Sequence, residues 1–175
     1  MDDTGLRRRT SEEHLTELYE RALRYLTHRS HSRLELRRKL LKFEAQEQVE
    51  RLLNSLEDKG LLDDKEFAKQ RAMLQRQRRR WGNYRIRQDL KKLGIDAKII
   101  QHVLGQVKET KTETVSLQEV INLWIQKAQE PRSLSQIKKL HDHCLRPGHS
   151  SSLIRDQLKP YFQSLSWQST HLSEE

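Results

Sequence analysis

Leucine, isoleucine and valine recur along this chain in steps of three and four residues, with charged and amide side chains filling the gaps. That spacing predicts helices that each bury one stripe. The first covers residues 13–28, where Leu15, Leu18, Ala22, Tyr25 and Leu26 share a face. Ser32 stands three residues before Glu35, the spacing of a capping box, and opens a helix through residue 42 with Leu36 and Leu40 turned inward. A third helix over 46–58 presents Val49, Leu52, Leu53 and Leu56, and stops at Gly60, a residue suited to the left-handed position after a helix end. Asp63 opens the fourth, with Glu66 at the third helical position and Leu62 and Phe67 spaced as a hydrophobic staple across the cap. That helix runs to residue 80, Trp81, Gly82 and Asn83 interrupt the pattern, and a fifth helix covers 84–93. Gly94 ends it, and Asp96 caps a sixth to residue 109 carrying Ile99, Ile100, Val103 and Leu104. Three further helices fall at 115–128, 134–145 and 151–162.

The helices come in threes. An offset of 50 residues carries Leu36 onto Ile86, Leu40 onto Leu90, Phe43 onto Leu93, Val49 onto Ile99 and Leu53 onto Val103. A further offset of 54 carries Ile86 onto Leu140, Leu90 onto Cys144, Gly94 onto Gly148, Asp96 onto Ser150 and Ile100 onto Ile154. This is an internal repeat. It predicts an arm over 1–12, three-helix repeats over 13–60, 61–110 and 111–164, the last degenerate, and a tail over 165–175. A single triplet is too thin to bury its own apolar face, so neighbours must stack, and we expect an all-α, elongated and curved array.

Composition supports helices and sets the cellular context. Only 34% of the 175 residues are apolar and 34% are charged, with 3 prolines and 6 glycines, too few for a sheet protein full of tight turns. Cys144 has no partner for a disulfide, and the N-terminal residues carry no apolar segment of signal length. No apolar run is long enough to span a bilayer. We expect a cytoplasmic monomer that does not enter a membrane.

Charge changes the picture more. Between Lys65 and Lys92 stand eleven Lys or Arg against two acids, a balance of +9, which equals that of the whole chain. A local excess of this kind implies an acidic partner, nucleic acid or an acidic protein groove. On the fourth helix Lys65, Lys69, Arg76 and Arg80 recur at intervals of 4, 7 and 4 and predict one basic stripe. Arg78, Arg79, Arg85, Arg87, Lys91 and Lys92 add to it, with Trp81 and Tyr84 inside the run as candidate stacking rings. A weaker basic surface is predicted from Arg29, Arg33, Arg37, Arg38 and Lys39. The alternative for either set is a solvated helix face, and for Trp81 a structural staple.

Catalytic and metal constellations fail on spacing. Asp63, Asp64 and Glu66 match a helix cap and first turn, where acids favour the dipole. His141, His143, Cys144 and His149 suggest zinc, but residues two apart on a helix point to different faces, and Cys144 takes the core slot of Leu40 and Leu90. Phosphate-loop and nucleophile-elbow patterns are absent. We expect no enzyme, no metal and no cofactor, and assign Ser32, Glu35, Asp63, Glu66, Gly82 and Gly94 to helix caps.

Several separated pieces, in order, resemble one family. They are Ser32-Arg33-Leu34-Glu35-Leu36 with Lys39-Leu40, Gly60-Leu61-Leu62-Asp63-Asp64 with Phe67-Ala68, Gly82 with Arg85-Ile86 and Leu90, and Gly94-Ile95. Residues 22–104 thereby resemble the RecX regulatory family, modulators of the RecA recombinase. The last triplet is similar through Arg146, Gly148, Ser150 and Ile154, with Pro147 and His149 where the family more often has a basic and an aromatic residue. The resemblance implies three tandem three-helix repeats, binding along the groove of the RecA–DNA filament, and inhibition of ATP hydrolysis and strand exchange in recombination, repair and the SOS response. A stand-alone nucleic-acid-binding helical repeat is the alternative.

Overall fold

The structure, a computed structural model, describes residues 11–106 and 112–171. The predicted arm up to residue 10, residues 107–111 and the last four residues lie outside the described residues. The described residues form nine helices and no strand: α1 (Ser11–His28), α2 (Arg33–Leu40), α3 (Gln46–Asp58), α4 (Asp64–Arg79), α5 (Asn83–Lys92), α6 (Ala97–Gln106), α7 (Glu113–Ala128), α8 (Leu134–Leu145) and α9 (Ser151–His171).

Their ends follow local chemistry. Ser32 and Glu35 form the reciprocal capping box at α2. Asp63 Oδ1 accepts the amides of Lys65 at 2.8 Å and Glu66 at 3.0 Å, satisfying first-turn donors of α4. Thr112 caps α7 by accepting from the Val115 amide, so α7 starts earlier than its apolar pattern alone predicts. Gly60 and Gly94 take positive φ of 67° and 79° after α3 and α5. α2 closes at Leu40, short of residue 42, because the Phe43 amide bonds the Leu40 carbonyl in a tighter turn. α9 continues past Phe162 through Pro160 to His171. Replacing Asp63 by Ala leaves two amides without an acceptor and should cost about 0.5–2 kcal/mol in denaturant unfolding. Loss of function at unchanged stability would instead give Asp63 a direct functional role.

Two compact units divide the chain. One runs to Phe67 and includes Leu93–Ile95; the other comprises Ala68–Lys92 and the residues from Asp96 on. The first unit is centred on Leu18, Ala22, Leu36, Leu40, Val49, Leu53 and Leu56. In the second, Leu117, Val120, Ile121, Ile137, Leu140, Cys144, Ile154 and Leu158 form a core, and Ala72, Ile86, Leu90, Ile100 and Val103 are buried as well. Cys144 is fully buried, and burial pushes its thiol up to about 12, so it acts as a small apolar side chain. Among the described residues no group of three His, Cys, Asp or Glu is placed to hold a metal ion, and no helix is long and apolar enough to cross a membrane.

Each unit contains a joint built on the same plan. In the first, Ser32 Oγ donates to the Leu93 carbonyl at 2.7 Å, the Arg33 amide donates to Asp64 Oδ1 at 2.8 Å, and Leu34 packs on Gly94. In the second, the Gly82 amide donates to the Pro147 carbonyl at 2.9 Å, the Asn83 amide to Glu113 Oε1 at 3.1 Å, and the Tyr84 amide to the Gly148 carbonyl at 3.3 Å. Gly94 and Gly148 both have positive φ, 79° and 86°. The start of one triplet's second helix therefore docks on a left-handed glycine turn, while an acid from the first residue of a long helix accepts a first-turn amide.

Candidate functional site

α4 and α5 carry the basic run, and burial sorts its members. Lys69, Arg78, Arg79, Arg85, Arg87, Lys91 and Lys92 are exposed in the second unit, without a carboxylate partner among the described residues. Lys65 is exposed on the first turn of α4, in the other unit. Arg71 is held against Asp89, with Nε to Oδ2 at 2.8 Å. An array of unpaired like charges repels itself, and a polyanion relieves that repulsion on binding.

The predicted stripe is broken at two positions. Arg76 is only 2% exposed, and its guanidinium donates to Asn83 Oδ1, so it belongs to the interior and not to a solvent-facing row. Burial pushes the Arg76 guanidinium below its ordinary value, with Glu113 opposing. Arg80 follows α4 at a φ of 55° and pairs with Glu119 at 3.1 Å. Its carbonyl faces His149 Nε2 at 3.0 Å, and His149 Nδ1 lies 3.5 Å from Glu113 Oε1. Burial alone would raise the Glu113 carboxyl, but His149 and the Asn83 amide hold it below its ordinary value. Arg76, Arg80, Asn83, Glu113 and His149 thus form a polar joint between elements.

The aromatic pair is divided as well. Arg79 and Arg85 stand over the Trp81 ring at 5.2 and 4.7 Å from its centroid, and the Arg85 guanidinium also donates to the Arg146 carbonyl at 2.8 Å. Trp81 is therefore a half-buried spacer that orients two guanidinium groups. Tyr84, 66% exposed, is the ring open to a partner. Gly82 stands at the N-cap of α5, where its carbonyl accepts from Ile86, and the absence of a side chain lets it lie against the Gly148 backbone.

The secondary basic surface is largely neutralised within the first unit. Arg33 donates to Glu50 at 2.8 Å and also bonds Glu57, Arg37 bonds Glu50, and Arg29 reaches Glu35 at 2.9 Å. Burial would raise the Glu35 carboxyl, but Arg29 and the Ser32 amide hold it below its usual value. Lys39 lies over the Tyr25 ring at 4.3 Å and 2.8 Å from His31 Nε2. Arg38 alone of the five is exposed without a partner among the described residues. Arg29, Arg33 and Arg37 therefore tie α2 to its surroundings and add no net positive surface.

Sequence spacing missed Asn83, Glu113, His149 and Gly148 as parts of the joint. The repeat offsets held the signal for one of them, since Gly94 maps onto Gly148.

The chain is similar to known proteins along most of its length. The RecX second three-helix domain matches residues 63–104 and the RecX first three-helix domain matches 19–56. A Regulatory protein RecX of Ralstonia pickettii is 35% identical over 136 residues, 77% of this chain and 81% of that one. Another, of Leptothrix cholodnii, is 29% identical over 141 residues, 79% and 85%. The crystal structure of RecX from Lactobacillus salivarius superposes with a TM-score of 0.76 at 21% identity, over 89% of this chain and 99% of that one, a likeness of fold. On the identity and coverage of the Ralstonia relative and the two matched three-helix domains, the chain belongs to the RecX family of regulatory proteins.

Proposed function

We propose that the protein is a non-catalytic regulator that binds the RecA–DNA nucleoprotein filament and restrains ATP hydrolysis and strand exchange. The observation that carries this reading is the run of exposed, carboxylate-free cations on α4 and α5, in a chain that belongs to a regulatory family. Such a surface meets DNA phosphates or acidic groove walls, and occupying them excludes a second duplex. The repeated joint supports division into three three-helix units over 13–60, 61–110 and 111–164. Many modest contacts along a polymer add up by avidity. In this reading the protein acts in the cytoplasm as a monomer without cofactor or metal.

The exposed Tyr84 ring within the basic run favours a second reading, direct binding of nucleic acid without the recombinase. Affinity for DNA alone and for DNA carrying assembled recombinase separates the two. The regulator binds the filament far more tightly than bare DNA. Equal affinity for both defeats the filament reading and leaves the direct binder.

A further inference from the structure

Arg76 presents a problem that the filament reading does not use. Its side chain is buried, yet only one of its terminal nitrogens has a partner: Nη2 bonds Asn83, while Nε and Nη1 have none. A buried guanidinium stays charged and costs free energy unless its donors are matched. Arg76 lines a cleft of about 430 Å³ in the second unit, together with the first turns of α7 and α9. Those turns bring unmatched donors of their own. Thr112 accepts the Val115 amide and Ser150 the Leu153 amide, and the other first-turn amides of α7 and α9 have no acceptor within their own helix. Both helices are long and direct the positive ends of their dipoles at the same space. Of the two carboxylates on the cleft, Glu113 accepts from the Asn83 amide, lies 3.5 Å from His149 Nδ1 and sets its charge against that of Arg76, and Asp156 pairs with Lys159 at 2.9 Å.

We infer that this cleft is a binding site for a phosphate group, received by the Arg76 guanidinium and by the open first-turn amides of α7 and α9. Unmatched helix amides from two elements and a guanidinium with free N–H groups are the donor set that a tetrahedral oxyanion saturates. The Arg76 side chain reaches the group by turning about its outer torsions, keeping or exchanging its bond to Asn83. This inference goes beyond the filament reading and stands or falls without it, because it concerns the isolated protein.

Thermal unfolding of the full chain in inorganic phosphate, against potassium chloride at equal pH and ionic strength, tests it. A ligand that binds only the folded state at ten times its dissociation constant raises the Tm of a chain of this size by about 3–6 °C. The phosphate-specific rise should vanish in R76M, which keeps an apolar stem and removes the donors. It should also vanish in S152E, which places a carboxylate on the first turn of α9 and should raise the starting Tm. If R76M does not fold, S152E alone decides. A parallel arm uses a dinucleoside monophosphate. A rise there identifies a backbone phosphodiester as the fitting group, a rise with inorganic phosphate alone identifies a free or terminal phosphate, and either supports the site. No phosphate-specific rise in the unmodified protein with either probe, or a rise retained by either folded variant, overturns it.

Discussion

Gly82→Ala should destabilise the protein by about 3 kcal/mol or more, the upper end of what overpacking a close-packed site costs. A Cβ at Gly82 would lie 2.2 Å from the Gly148 oxygen, 2.3 Å from its carbonyl carbon and 2.4 Å from the His149 nitrogen. All three are backbone atoms, so no side chain can swing away. Moving the turn would stretch the Gly82 and Tyr84 amide bonds to Pro147 and Gly148 and pull His149 off the Arg80 carbonyl. At this chain length the loss lowers Tm by roughly 6–12 °C. Gly105→Ala is the control. That glycine lies in α6 with open space around it, so the added methyl favours the helix by about 1 kcal/mol. Thermal unfolding of both variants checks the pair, and a Gly82→Ala protein that melts with the unmodified one would mean that the joint is not rigid.

Contacts made within one helical turn are legible in the sequence, and contacts between distant turns are not. Caps at Ser32 and Asp63 are decided within four residues of chain, so spacing and side-chain chemistry suffice to place the starts of α2 and α4. The core stripes are legible for the same reason: Leu36, Leu40, Ile86, Leu90, Leu140 and Cys144 are all fully buried, on one repeated register. Charge is different, because a Lys or Arg at helical spacing looks the same whether its far end meets water, a carboxylate or the interior. Arg76 sits seven residues beyond Lys69, as a stripe requires, yet Asn83 and Glu113 reach it from outside its helix. Arg33 and Arg37 are claimed by acids of α3, which lie too far along the chain for helical pairing rules to count them. The need for glycine at position 82 is likewise set by a turn far along the chain, and only the repeat offsets carry a trace of it.

These reassignments decide which charges to remove. The variant Lys69→Gln, Arg78→Gln, Arg79→Gln, Arg87→Gln takes away exposed cations without carboxylate partners, replaces them by a good helix former and relieves like-charge crowding. Its stability should hold or rise slightly. Its association with the recombinase–DNA filament should weaken steeply, and the dependence of log affinity on log salt should flatten by up to about one unit for each phosphate no longer neutralised. Arg33→Gln with Arg37→Gln should do the opposite. Those side chains bond Glu50, Glu57 and Asn54, so their removal should loosen α2 against α3 and lower stability while leaving the salt slope of binding unchanged. Arg76 and Arg80 are kept intact in both variants, because altering them disturbs the joint with Asn83, Glu119 and His149 and would mix folding with binding. Filament affinity measured across a salt series for the two variants checks the assignment. If the Arg33 and Arg37 variant loses more affinity at full stability than the four-site variant, the partner meets α2, and the exposed face of α4 and α5 is a solvated surface.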